Sequence, residues 1–160
     1  MKSIFLALAV LISITATAQN KPFSVLLNTY YQLKNELVAG NSTKAAAFAT
    51  EFKTGVVAIN PQQLSPAEKN VFEPLKQKLM ADAGTIASAD DIKKQREVFA
   101  SLSDNMIDLA KGVKLSDKEV YIDYCPMKKA SWLSAEKAIK NPYYGNSMLT
   151  CGSVKETIKH

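Results

Sequence analysis

Two short stretches near the end of the chain, YCPMKKASW at residues 124–132 and NPYYGNSMLTCG at residues 141–152, hold both of its cysteines. Each cysteine has a methionine close by: Met127 after Cys125, and Met148 before Cys151. Thiolates and thioethers are soft donors, which select Cu(I) and Ag(I) over magnesium, calcium or manganese. Zinc accepts thiolate but prefers further thiolate or imidazole to thioether. Cys125 and Met127 flank Pro126, which stiffens the link, and the spacing of Met148 and Cys151 lets both side chains face one way in a turn. Two such pinching pairs make an S4 or S3 site for one soft ion.

Two other chemistries fit the same residues. Paired cysteines in an exported protein commonly form a disulfide. A Cys125–Cys151 bond would close a loop of about 25 residues, worth ~3 kcal/mol in the chain-entropy account. Methionine is also ordinary core filler, and Met80 and Met106, which fall on helical stripes, are read that way. Met127 and Met148 lie outside any helical pattern. Trp132 reads as a packing anchor that could also cover a Cu(I) ion with its ring face. Lys128 and Lys129 read as solvated charges, which would offset the negative charge of a dithiolate site. His160, the one histidine, ends the chain and is not counted as a ligand.

Enzyme signatures are missing from the sequence. One terminal histidine builds no Ser-His-Asp set, and there is no C-x-x-C pair, haem-attachment motif or phosphate-binding glycine loop. The neighbouring carboxylates Asp90 and Asp91 read as a helix start. The formal charge of +5 comes from lysines scattered over amphipathic segments, so no nucleic-acid partner is expected.

These residues need elements to position them. Lys2, the apolar run over residues 3–14 and Ala16-Thr17-Ala18 read as a signal peptide cut after Ala18. That leaves a mature chain of 142 residues (160 minus 18), exported to the periplasm in a Gram-negative cell, with no membrane span. Residues 19–160 are read as one domain with a Cys/Met tail motif at 119–154. Four amphipathic helices are predicted. Phe23, Leu26, Leu27, Tyr30, Leu33 and Leu37 mark the first, stopped by Gly40-Asn41. Ser42 is expected to cap the second, with Ala45, Phe48, Ala49, Phe52, Val56 and Ile59 as its face and Asn60-Pro61 as its end. SPAE at residues 65–68 is a capping box opening the third, which carries Phe72, Leu75, Leu79 and Ile86, with a kink or restart at Pro74. Ser88 or Asp90 is expected to cap the fourth, whose stripe is Ile92, Phe99, Leu102, Met106, Leu109 and Val113. Short connections favour an up-down four-helix bundle in a mainly α protein. An irregular C-terminal segment packs on it, with a short strand at residues 119–125, two helical turns at 134–140 and a loop at NPYYGN.

The tail, YIDYCPMKKASWLSAEKAIKNPYYGNSMLTCGSV, resembles a bacterial exported domain of unknown function. It is similar to the C-terminal domain of periplasmic adaptors of Cus-type copper/silver heavy-metal efflux systems. The pattern is carried by Tyr124–Met127, Trp132–Ser134, Asn141–Gly145 and Met148–Gly152, with Arg96, Phe99 and Ser103 matching in the fourth helix. The segment between Met127 and Trp132 is shorter here than the glycine-containing loop of the adaptor versions. The resemblance implies a protein that holds Cu(I) or Ag(I) at Cys125, Met127, Met148 and Cys151, to buffer it or pass it to an efflux adaptor. The rival expectation is a structural or interaction module stapled by Cys125–Cys151, with Trp132, Tyr143 and Tyr144 as a docking surface.

Overall fold

The computed structural model describes residues 22–159. The segment read as a signal peptide and His160 lie outside the described residues. The chain folds as α1 (Pro22–Ala39), α2 (Ser42–Ala58), α3 (Pro66–Ser88) and α4 (Ile92–Gly112), followed by β1 (Val120–Cys125), β2 (Ala130–Ser134) and β3 (Ser153–Ile158). Short 3-10 turns occupy Pro61–Gln63 and Gly145–Ser147. Among the described residues no helix is long and apolar enough to cross a membrane.

The four helices form the expected up-down bundle, and the predicted stripes face inward. Every residue named for the first helix is buried, as are Phe72, Leu75, Leu79, Ile86, Phe99, Leu102, Met106 and Leu109. Sequential helices lie closest together, whereas α1 and α4 are set wider. Aromatic side chains span that wider seam: Tyr30 stacks on Phe99 with ring centroids 5.2 Å apart.

Several local expectations are corrected. Asn41, not Ser42, caps α2, its side chain accepting from Lys44 N at 3.0 Å. Asp91, not Ser88 or Asp90, caps α4 by accepting from Lys93 N; Ser88 instead ends α3 and donates back to Thr85 O. The capping box at Ser65 and Glu68 forms as read. There is no restart at Pro74, because α3 runs through it. Pro74 and Asn70 are both exposed, so the carbonyl deprived of its usual donor faces water rather than the core. Residues 134–140 are not helical. Ser134 Oγ bonds both the N–H and the carbonyl of Glu136, and such local bonding competes with a helical turn.

The largest difference lies in the tail. It contains a three-stranded antiparallel sheet in the order β2-β1-β3, of which only β1 was anticipated. β3 is a mostly exposed edge strand, so its residues carry little hydrophobic alternation to read. The sheet covers the α1–α4 seam. Tyr30 Oη sits 2.7 Å from Ser103 Oγ on α4 and accepts Leu133 N of β2 at 3.1 Å, joining two helices and the sheet through one buried hydroxyl.

Candidate functional site

The thiols come together at one end of the sheet. Cys125 closes β1, and residues 126–129 turn the chain into β2, with Lys129 N donating to Cys125 O and Lys129 in the left-handed region at φ 57°. β3 pairs with β1 so that Ser153 faces Tyr124, which brings Gly152 and Cys151 alongside Cys125. The result is a Cys125 Sγ–Cys151 Sγ separation of 3.4 Å, with both thiols free. Gly152 permits this approach: a Cβ there would lie 2.9 Å from Tyr124 O and 3.0 Å from Trp132 Cη2.

The two sulfurs differ in character. Cys125 is buried and Cys151 half-buried. Burial pushes the Cys125 thiol up, but hydrogen bonds from the Lys128 N–H, the Cys151 thiol, the Asn141 carboxamide and the Met127 N–H outweigh it and leave the group below its ordinary value. Cys151 is raised, chiefly because its S–H donates to Cys125. The two thiols therefore titrate as one coupled pair, with Cys125 shifted down and Cys151 up through the hydrogen bond they share.

Asn141 organises this corner, and its role was not seen in the sequence, where Asn-Pro read only as a loop start. It is fully buried. Its Oδ1 accepts from Tyr143 N at 2.8 Å, its Nδ2 donates to Cys151 O at 2.6 Å, and its backbone N–H donates to Leu149 O. Helix α4 supports the corner from behind. Arg96 Nη2 and Nε both donate to Leu37 O at the end of α1, and Phe99 packs on Tyr143, which packs edge-on against Trp132.

Of the predicted site residues, Cys125 and Cys151 meet. Met127 and Met148 lie in the same two loops and are 64% and 36% exposed, so neither is core filler, in contrast to the buried Met106. Cys151 N donates to Met148 O, keeping that pair in one turn. Trp132 is fully buried and packs as an anchor, and its ring edge reaches Gly152 beside Cys151. Tyr143 is buried and Tyr144 half-buried, so of the aromatic docking surface Trp132 and Tyr143 are largely inside. Among the described residues no three His, Cys, Asp or Glu side chains gather to hold an ion, so a site here would depend on the methionines or on an incoming ligand.

With four helices carrying a small sheet over one seam, residues 26–118 match the family model described as "Protein of unknown function (DUF3347)". The match spans more than half of the chain, and the protein belongs to that family. It covers the bundle and stops just before β1, so the thiol motif lies outside it. No curated protein and no solved structure matches the chain.

Proposed function

We propose that this is an exported, non-enzymatic binding protein for a soft monovalent ion, Cu(I) or Ag(I), taken at Cys125 and Cys151 with thioether donation from Met127 and Met148. The observation that carries the reading is a preassembled thiol pair, 3.4 Å apart, with amide donors already aimed at one sulfur. An ion is within easy reach of this pair: with metal–sulfur distances of about 2.3 Å, a tetrahedral centre separates its sulfurs by roughly 3.8 Å, so the pair needs to open by only about 0.4 Å. The same contact also suits a disulfide at about 2.05 Å, since two reduced thiols in van der Waals contact are its usual starting point. Methionines that remain partly exposed at this position suit a shallow site that can release its ion. Periplasmic buffering, or handover to a heavy-metal efflux adaptor, is the role that the resemblance read in the tail sequence would imply; the family match at residues 26–118 does not extend to it.

The test is an anaerobic competition titration of the reduced protein against a Cu(I) chelator. One ion per chain is expected, bound more weakly as pH falls because both thiols must lose their protons. Zn(II) should bind much less tightly. Undiminished binding by the Cys125→Ser/Cys151→Ser variant ends the reading.

A second reading has one observation in its favour: the sulfurs join the end of β1 to the segment entering β3, where a disulfide would staple the sheet. It predicts no free thiol in protein taken from its native compartment. It also predicts a loss of about 2–5 kcal/mol when both cysteines are replaced by serine.

A further inference from the structure

A cleft of about 340 Å³ opens between α4 and the two loops that carry the thiols. Lys93, Arg96 and Glu97 of α4 form one wall, and Lys128 of the hairpin turn with Tyr144 and Ser147 forms the other. Three cations thus face one carboxylate. Among the described residues none of the three cations makes an ion pair within 4.0 Å, although Lys111, Lys114, Lys140 and Lys159 all do so elsewhere on the molecule. Arg96 and Lys128 are half-buried. The guanidinium of Arg96 has the neutral carbonyl of Leu37 as its partner. The loop closes on this guanidinium through Gly145, where a Cβ would collide with Arg96 Nη2 and lie 2.7 Å from Val38 O. A cation drawn out of water without a counter-charge favours an oxyanion, and a guanidinium suits the planar geometry of one.

We propose that this cleft binds an oxyanion, a carboxylate or phosphate group, through Lys93, Arg96 and Lys128. The volume is that of a small-ligand site. The site stands on its own charges and does not depend on the metal reading. The two are nevertheless built from the same loops: Lys128 lines the cleft with its side chain and donates its N–H to Cys125, and Tyr144 N donates to Asn141 Oδ1. An anion drawn in by Lys128 therefore lies one turn of backbone from the thiols. The group could arrive free or on the acidic side chains of a partner protein.

The experiment is an amide NMR titration of the reduced, metal-free protein. The probes are inorganic phosphate, succinate and a tetraglutamate peptide, each against sodium chloride at matched ionic strength. At least one oxyanion should shift the amides of Lys128, Tyr144 and Ser147 saturably at millimolar concentration, and chloride should not. The Lys93→Gln/Lys128→Gln variant should bind at least fivefold more weakly. A Lys69→Gln/Lys76→Gln control on α3, with the same change of net charge, should bind as wild type. Tetraglutamate binding tighter than succinate assigns the site to a protein partner, and phosphate binding tightest assigns it to a phosphate group. Shifts reproduced by chloride, full affinity in the Lys93/Lys128 variant, or an equal loss in the α3 control would each overturn the proposal. Because the samples hold no metal, a failed copper titration leaves this result untouched.

Discussion

The carboxamide of Asn141 touches both arms of the thiol corner, donating to Cys151 O and bearing on Cys125 Sγ. Removing a donor to a thiolate raises its pKa. Asn141→Ala should therefore shift the first thiolate titration of the reduced protein upward, read as thiolate absorbance against pH. An unmoved titration would show that the backbone amides of Lys128 and Met127 suffice. The methionines make a different prediction. Both are exposed, so Met127→Leu and Met148→Leu should change stability by no more than about 0.5 kcal/mol in urea unfolding. The same variants should weaken Cu(I) in the chelator competition, by less than a cysteine variant does. Unchanged affinity in the double methionine variant would remove the thioethers from the site. The meeting of Cys125 and Cys151 was legible because the two cysteines stand out in sequence, whereas donation from Met127 and Met148 is a proposal. Asn141 was not legible, because a buried amide that bonds backbone looks in sequence like any asparagine before a proline.

At the scale of elements, the sheet is attached to the bundle through Tyr30. Tyr30→Phe keeps the ring stack on Phe99 but leaves Leu133 N and Ser103 Oγ without this partner in a buried place. Such a loss costs about 1–3 kcal/mol. Amide exchange should speed up in β2 before it does in α2 and α3; uniform acceleration throughout would mean the sheet and bundle unfold as one. The helices were readable because their apolar spacing repeats over many residues and is backed by local signals such as the Ser65–Glu68 box. The caps of α2 and α4 were missed by one or more residues because Asn41, Ser42, Asp90 and Asp91 are all competent caps, and packing chooses among neighbours. β2 and β3 were missed for another reason. Gln95 shows how far non-local bonding decides this fold: its Nε2 donates to Ser42 O, Ile86 O and Ala89 O. In the same way ASWLS and SVKETI become strands because β1 lies between them, not through any alternation of their own.

For the whole molecule, stability should vary with pH through a group that the sheet buries against α1. Asp123 is fully buried on β1, opposite Trp132 in the ladder. Neither carboxylate oxygen has a well-formed hydrogen bond from a protein donor, and the same holds for the buried Tyr31 Oη and Trp132 Nε1. Burial drives Asp123 up to about 6, opposed by the charge of Lys34 and by the indole N–H of Trp132. Lys34, itself buried, is lowered by desolvation and held up by Asp123 and Glu136. The ordinary value for Asp123 is 3.8, so the folded protein binds its proton more tightly than the unfolded chain does. Below pH 4 both states are protonated and the group is neutral to stability. As pH rises from about 4 to about 6 the folded state must ionise a buried acid, and stability falls. Two pKa units correspond to ~3 kcal/mol at most, and the attraction of Lys34 is already contained in that net shift. Asp123→Asn keeps the shape and abolishes this titration. It should match the wild type near pH 4 and exceed it by about 1–3 kcal/mol at pH 7, measured by urea unfolding of the reduced, metal-free protein. A variant less stable than wild type at pH 7 would show that the ionised Asp123–Lys34 pair holds the sheet to α1, and that its attraction outweighs the cost of burying the charge.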